Sequence, residues 1–384
     1  MGQDRLLVVT PELEHTNYPV VKFKLKTSHS NLFDYMTSKY SSLINQPKSV
    51  FRRKYVNDEI FSYSKETAEE IIAYTFEKLG SIDDCDKFEM VKRTMKNSNK
   101  MLLRIANDGF LICASHLLHD GISIFNTTTY ISSEKELMRL PEFHYIPIYN
   151  EFQTLYGLGR SLINGIPKQH LSLDYPQEKS DNCKIIKSKI PLSYIKGLKS
   201  KASEAIGEKI SFAVVFSALQ ALSIFYSTNK SMITIGIVVG FKNENRFNNF
   251  TAMLLEIERP DSIDNHSEMN IISMIETIHN KAKTNLHQIS LFYSITNIYD
   301  FKLSLNTSID VLISGIPMCQ TKQHTIDNIE ISDVSGTMPY HTSPVYVFYL
   351  SDTQHSFVSQ HIRTNDVDSD KLRKFNKDNL KSII

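Results

Sequence analysis

The residues of this chain best placed to do chemistry stand together in Leu111-Ile112-Cys113-Ala114-Ser115-His116-Leu117-Leu118-His119-Asp120-Gly121-Ile122-Ser123. An apolar run ends at His116, and Asp120-Gly121 follow after three intervening residues. The unperturbed pKa of imidazole lies close to neutrality, so a His at a strand end suits proton abstraction there. Asp120, one tight turn away, can anchor that turn through an ion pair or backbone hydrogen bonds. Gly121 opens backbone conformations closed to other residues. Two other readings use the same residues. A His at a strand end beside a turn Asp is also an ordinary structural arrangement. A metal site would use His116, His119 and Asp120; no further ligands cluster nearby and the three would have to converge across a turn, so no metal is expected.

Other chemistries lack their signatures. The chain has no GxxxxGKS or GxxxxGKT phosphate loop and no HExxH. Gly157-Leu158-Gly159 does not extend to GxGxxG and follows a helix-like stretch. Gly121-Ile122-Ser123-Ile124-Phe125 lacks the closing Gly of a nucleophile elbow.

Met101–Ala106 and Phe110–Ser115, with Asn107-Asp108-Gly109 between them, predict a β-hairpin that delivers His116. Before it, Val20–Leu25 reads as a strand and Asn31–Leu43 as a helix. A second helix is expected over Lys65–Leu79, capped by Ser64 and stopped by Gly80. Glu151–Ile163 reads as a further helix. The second half opens with a helix near Leu192–Ala205. Ile210 to Asn229 is uncharged but diluted by Ser, Gln and Thr, which predicts a helix buried in a globular domain and capped by Ser211, not a membrane span. Met232–Val239 and Met253–Glu258 read as strands and Glu268–Leu286 as a long helix. Ile309–Ile313, Ile329–Val334, Val345–Leu350 and Phe357–Ile362 read as strands, and a polar helix closes the chain. Helices and strands interspersed in both halves predict an α/β or α+β class. Residues 169–184, with Pro176 and no clear periodicity, read as a linker between subdomains 1–168 and 185–384.

The 384 residues carry 43 basic and 42 acidic side chains, which leaves no charge excess to attract a polyanion and argues against nucleic-acid binding. Hydrophobic residues at 41% and charged residues at 22% fit a globular chain, not a disordered one. Cys85, Cys113, Cys183 and Cys319 are widely spaced, which suits free thiols in a reducing compartment. The N-terminus lacks the basic region and apolar core of a secretory signal, so a cytoplasmic location is expected.

The segment around His116 resembles the active-site motif HHxxxDG of the acyltransferases with the chloramphenicol acetyltransferase fold. That superfamily includes the condensation domains of peptide synthetases, wax-ester and diacylglycerol synthases, polyketide-associated acyltransferases and alcohol acetyltransferases. His116 stands at the second, catalytic His, Asp120 and Gly121 match the rest, and Ser115 replaces the first His. Weaker, pattern-level similarity covers most of the chain: Ser203–Leu222, Ile235–Pro260 and Val311–Pro317. There Gly240-Phe241 stands where many members have Gly-Arg, and Gly315 follows Ser314 where Asn is usual. The DFGWG motif of the plant branch is absent.

The resemblance implies two similar subdomains in a V with a tunnel between them. It implies acyl transfer from a thioester to a hydroxyl or amine by direct attack, with His116 as general base. Asp120 would hold the loop and the His orientation through an Arg, Arg104 or Arg246, and Ser314 would donate a hydrogen bond to the oxyanion. No bound cofactor is implied; acyl-CoA is the expected co-substrate and a small alcohol the expected acceptor, with amine transfer as a variant. Two alternatives stand beside this. The donor could be an acyl carrier protein, or the chain could be a non-catalytic relative that binds a partner through the same fold.

Overall fold

The structure is a computed structural model and describes residues 18–47, 49–57, 60–96, 101–115, 119, 183–240, 250–261, 268–299, 309–316, 325–326, 329–337, 343–351 and 354–380. Along the first part of the chain run β1 (Val20–Leu25), α1 (Leu32–Ile44), β2 (Arg53–Asn57), β3 (Ile60–Tyr63), α2 (Ala68–Thr75), β4 (Phe76–Lys78), α3 (Lys87–Lys96), β5 (Leu102–Ala106) and β6 (Gly109–Cys113). Then come β7 (Lys184–Pro191), α4 (Leu192–Ile206), α5 (Phe212–Ser227), β8 (Met232–Gly240), β9 (Phe250–Glu258), α6 (Glu268–Tyr299) and β10 (Val311–Ile316). The chain ends with β11 (Thr325–Ile326), β12 (Ile329–Thr337), β13 (Val345–Ser351), β14 (His355–Ile362) and α7 (Ser369–Asn379). The mixed α/β class expected from the sequence is the one observed.

The described residues fall into two compact units. The first is built on a six-stranded sheet of order β11-β12-β1-β6-β5-β4. β1 lies inside it, antiparallel to both β6 and β12, and Phe23 stacks on its register partner Phe110 with ring centroids 4.6 Å apart. Strands β11 and β12 belong to this sheet although they lie within 185–384, so the two units interleave along the chain. Helix α1 turns Leu32, Met36, Tyr40 and Ile44 inward at helical spacing. Buried Arg52 satisfies the end of that helix, donating from Nε to the Ile44 carbonyl (2.7 Å) and from Nη1 to those of Ser64 (3.2 Å) and Glu66 (2.6 Å).

Helix α2 differs from the expectation at both ends. Thr67, not Ser64, caps it: its side chain accepts from Glu70 N while the Glu70 carboxylate accepts from Thr67 N, a reciprocal capping box. Ser64 instead bonds the Glu66 carboxylate. The helix stops at Thr75, well before Gly80, because Phe76–Lys78 pairs in parallel with β5. The β2–β3 hairpin, α3, β4, β7 and β11 were not foreseen from the sequence.

The second unit is a six-stranded sheet of order β7-β14-β13-β10-β8-β9, with the central β13, β10 and β8 parallel to one another. One face packs on the helices: Ile186, Ile190, Val311, Ile313, Val345, Val347 and Tyr349 join residues of α4 to α7 in a single core. Helix α5 lies inside that core, as its uncharged sequence predicted, and Ser211 caps it by accepting from Val214 N at 3.2 Å. Gly207 ends α4 in the left-handed region (φ 72°). A buried amide chain ties α5, β14, α7 and β7 together. Gln360 Nε2 donates to Gln220 Oε1 (2.7 Å), and Asn376 Nδ2 donates to Gln360 Oε1 (2.7 Å) and to Ser188 Oγ (3.1 Å). No helix among the described residues is long and apolar enough to cross a membrane.

Candidate active site

The β5–β6 hairpin forms as the Asn107-Asp108-Gly109 turn predicted, with all ten strand residues buried. Asp108 fastens the turn: its carboxylate accepts from Ser81 Oγ (2.9 Å) and Ile82 N (3.1 Å), and its carbonyl from Leu25 N (2.9 Å). Gly109 is required by close approach, since a Cβ there would run into the Phe23 carbonyl and stand 2.8 Å from Ile82 Cδ1. β6 is an interior strand flanked by β1 and β5, so the chain leaves the middle of a sheet at Cys113 and carries Ala114 and Ser115 on, both buried. His116, Asp120 and Gly121 lie outside the described residues, as do Glu151–Ile163, Ser123, Arg246 and Cys319. Around His116, the described flanks are Ser115 and His119. His119 N donates to the Ser115 carbonyl at 2.9 Å, and the His119 residue is wholly buried. His119 therefore occupies a packed position within the motif.

Burial pushes the Cys113 thiol up to about 12, with a hydrogen bond from Thr94 opposing, so it is a neutral core group at working pH. Burial likewise pushes Cys183 up to about 11, against the opposing charge of Arg363. Cys85, Cys113 and Cys183 are free thiols.

Arg104, one of two arginines considered as the partner of Asp120, is engaged elsewhere. Its Nε donates to Glu77 Oε2 at 2.8 Å, and its Nη1 reaches Cys85 Sγ (3.3 Å) and the Asp86 carbonyl (3.5 Å). The parallel register of β4 and β5 sets Glu77 directly across from Arg104. Arg93 Nη1 adds a second bond to the same Glu77 oxygen at 2.6 Å. Burial works against the Glu77 charge, but the two arginine hydrogen bonds and their charges outweigh it and hold the carboxyl below its ordinary range.

Ser314 lies on β10, an interior strand between β13 and β8. Alternation puts it on the face turned away from the helices, because Ile313 and Gly315 flank it and Ile313 belongs to the helical core. Asp310 fixes the start of the strand: its carboxylate accepts from Thr234 N (2.7 Å), its N–H donates to the Thr234 carbonyl (3.0 Å) and its carbonyl accepts from Val345 N (3.1 Å). On the Ser314 face the neighbouring strand supplies Tyr346, diagonally placed in register; burial raises the pKa of its phenol well above the ordinary value, with a hydrogen bond from Ser314 opposing. The sequence reading did not single out Tyr346. Its only signal there is the alternation of Val345-Tyr346-Val347, which sets the ring opposite two core valines.

No family model and no curated protein sequence matches this chain. Solved structures match it over nearly its whole length. It is similar to a trichothecene 15-O-acetyltransferase from Fusarium sporotrichioides, with TM-score 0.62, 9% identity, and 95% of this chain and 90% of that one covered. It is also similar to the first condensation domain of the calcium-dependent antibiotic synthetase (TM-score 0.59, 10% identity, 97% and 91% covered). A third is the wax ester synthase/diacylglycerol acyltransferase from Marinobacter aquaeolei VT8 (TM-score 0.54, 11% identity, 96% and 94% covered).

Proposed function

From the fold of the chloramphenicol acetyltransferase-like and condensation-domain superfamily, which this chain has, we propose that it is an acyltransferase. It moves an acyl group from a thioester, acyl-CoA, to the hydroxyl or amine of a small molecule. The observation that carries this reading is the meeting of two independent features. The similar structures include enzymes named for acyl transfer, and the HxxxDG sequence begins three residues after the end of interior strand β6.

In this reading His116 takes the proton from the acceptor hydroxyl as the acceptor oxygen bonds to the thioester carbonyl carbon. The carbonyl π electrons move onto its oxygen, and the Ser314 hydroxyl donates a hydrogen bond to that oxyanion. When the intermediate collapses, the carbonyl re-forms and the C–S bond breaks. The proton held on His116 passes to the leaving thiolate, so the base is restored. Asp120 acts on the loop and not as a proton carrier. Arg104 already has Glu77 as its partner, which leaves Arg246 as the arginine to consider for Asp120.

The similarity to a condensation domain as close as that to the free-standing enzymes supports a second donor, an acyl group carried on a protein-bound phosphopantetheine arm. Thiol release is the deciding measurement. The purified chain is supplied with acyl-CoAs of graded length and a panel of alcohols and amines, then with the same acyl groups on a carrier protein. Acceptor-dependent release from CoA, inhibited by free CoA, supports the main reading. Release from the carrier alone assigns the second donor. Transfer from neither would leave a non-catalytic binding module and would falsify the enzyme reading.

A further inference from the structure

Every residue of β13 is buried except Phe348. The strand is interior, flanked by β14 and β10, so its place in the sheet does not account for this exposure. The face does. Val345, Val347 and Tyr349 alternate with Phe348 and join the helical core, which sets Phe348 on the opposite face, the face of Ser314. Register pairs Phe348 with Ser314 directly. Adjacent strands lie about 4.8 Å apart, so the two side chains stand side by side. Ser314 is itself half-buried, as are Leu312 before it on the same face and Val238 on β8, which follows Ile237, the register partner of Ile313. Leu312 leans over its own partner Gly236, where an added Cβ would stand 3.2 Å from Leu312 Cδ1. On the far side of Phe348 its β14 partner Ser359 is buried, so the half-exposed patch ends at β13. Ser314 is thus a hydroxyl set among Leu312, Val238 and Phe348, none of which carries a charge or a hydrogen-bonding side chain.

In the acyl-transfer reading the carbonyl oxygen rests on the Ser314 hydroxyl, and the carbonyl carbon is one bond away, about 1.2 Å. Besides that oxygen, the tetrahedral carbon carries the thioester sulfur, the acceptor atom and the first carbon of the acyl chain. The sulfur leads into pantetheine with its amides and phosphate, and the acceptor brings polar groups of its own. Only the acyl chain is apolar from its first carbon onward, and a patch that is apolar apart from Ser314 suits that group. We infer that the acyl chain lies on this patch and that Phe348 is its specificity-determining residue. The ring stands beside the hydroxyl, closes the patch on the β13 side and restricts the enzyme to short acyl groups, acetyl to butyryl. The inference rests on the acyl-transfer reading above and deepens it by naming the class of acyl group.

The test is thiol release from a series of saturated acyl-CoAs, acetyl to decanoyl, with one fixed acceptor and kcat/KM read for each; where the unmutated chain takes only carrier-bound acyl groups, the same series is loaded on the carrier protein. The unmutated chain is expected to prefer acetyl to butyryl groups and to fall off beyond them. Phe348→Ala vacates room for at least two methylenes, each worth about fourfold on burial, so the ratio of kcat/KM for octanoyl over acetyl transfer is expected to rise by about 16-fold or more, with kcat for acetyl transfer little changed. Phe348→Leu should shift the ratio in the same direction by less, and serves where the Ala variant loses its fold. Folded variants that keep the chain-length profile of the unmutated protein overturn the inference and leave acyl transfer standing. So does an unmutated chain that prefers octanoyl or longer groups, or a variant whose preference shifts among acceptors at a fixed acyl group. No transfer by the unmutated chain from either donor overturns the underlying reading and the inference with it.

Discussion

Gly315 and Tyr349 face each other across the parallel β10–β13 pair, and a Cβ on residue 315 would stand 2.5 Å from Tyr349 Cδ1 and 2.6 Å from its Cγ, and against its carbonyl oxygen. The ring has little room to withdraw, because it lies on Phe216 of α5 with centroids 3.9 Å apart. The glycine where resembling enzymes carry Asn is thus an accommodation to Tyr349. Gly315→Asn is expected to destabilise the fold by about 1–3 kcal/mol or more, as overpacking does. Differential scanning fluorimetry reads this as a fall in Tm; an unchanged Tm shows that β10 and β13 can separate more easily than the packing implies.

His116→Ala is expected to lower kcat by about 10²–10⁴, the range for removal of a general base, with the far-UV circular dichroism unchanged. Direct attack also predicts intersecting steady-state lines and an unmodified mass after incubation with acyl-CoA alone. A stoichiometric acyl adduct, on Ser115 or Ser123 in particular, would mean that His116 serves a nucleophile.

Asp120→Asn is expected to lose thermal stability together with rate, because its assigned role is to hold the loop. A large rate loss at a normal Tm would move Asp120 into the chemistry.

The Arg93–Glu77–Arg104 cluster makes the first unit acid-sensitive. Glu77 is held below its ordinary pKa, so the stability it contributes is complete above the unfolded-state value of about 4.3 and is lost as pH falls through the lower folded-state value. Glu77→Gln should therefore lower Tm at pH 7, and the gap to the unmutated chain should close below pH ~4. A gap that persists at acid pH would assign the effect to packing.

In the second unit, Gln360→Leu would take the donor from Gln220 Oε1 inside the core and one of two acceptors from Asn376 Nδ2. The cost is about 1–3 kcal/mol per stranded buried group. Combining it with Asn376→Leu should cost less than the two single losses together, because both changes remove the same Asn376–Gln360 bond. Denaturant unfolding measures the coupling, and strict additivity would show that the two amides act independently.

What the sequence determined by itself was whatever depends on near neighbours. Asn107-Asp108-Gly109 turns the hairpin wherever it stands, Ser211 caps α5 through a donor three residues away, and the uncharged run after it announced a buried helix. Periodicity also marked β1, β8, β10, β13 and β14 as strands. It could not say which strand pairs with which. β12 joins β1 across some three hundred residues, an edge choice made by the rest of the first sheet. The short β4 ends α2 early because β5 is there to receive it, a partner with no trace in the local pattern of Phe76–Lys78. The same holds for side chains: Arg104 is claimed by Glu77, and Gly315 yields to Tyr349, only once strands are set side by side. Ser314 could be nominated from its sequence neighbours, but that Tyr346 shares its face, one diagonal step away, was set by the register of β10 on β13. Local propensity acts over a few residues, whereas register and burial are set by the free energy of the assembled sheet. That is why the elements could be read from the chain and their partnerships had to wait for the fold.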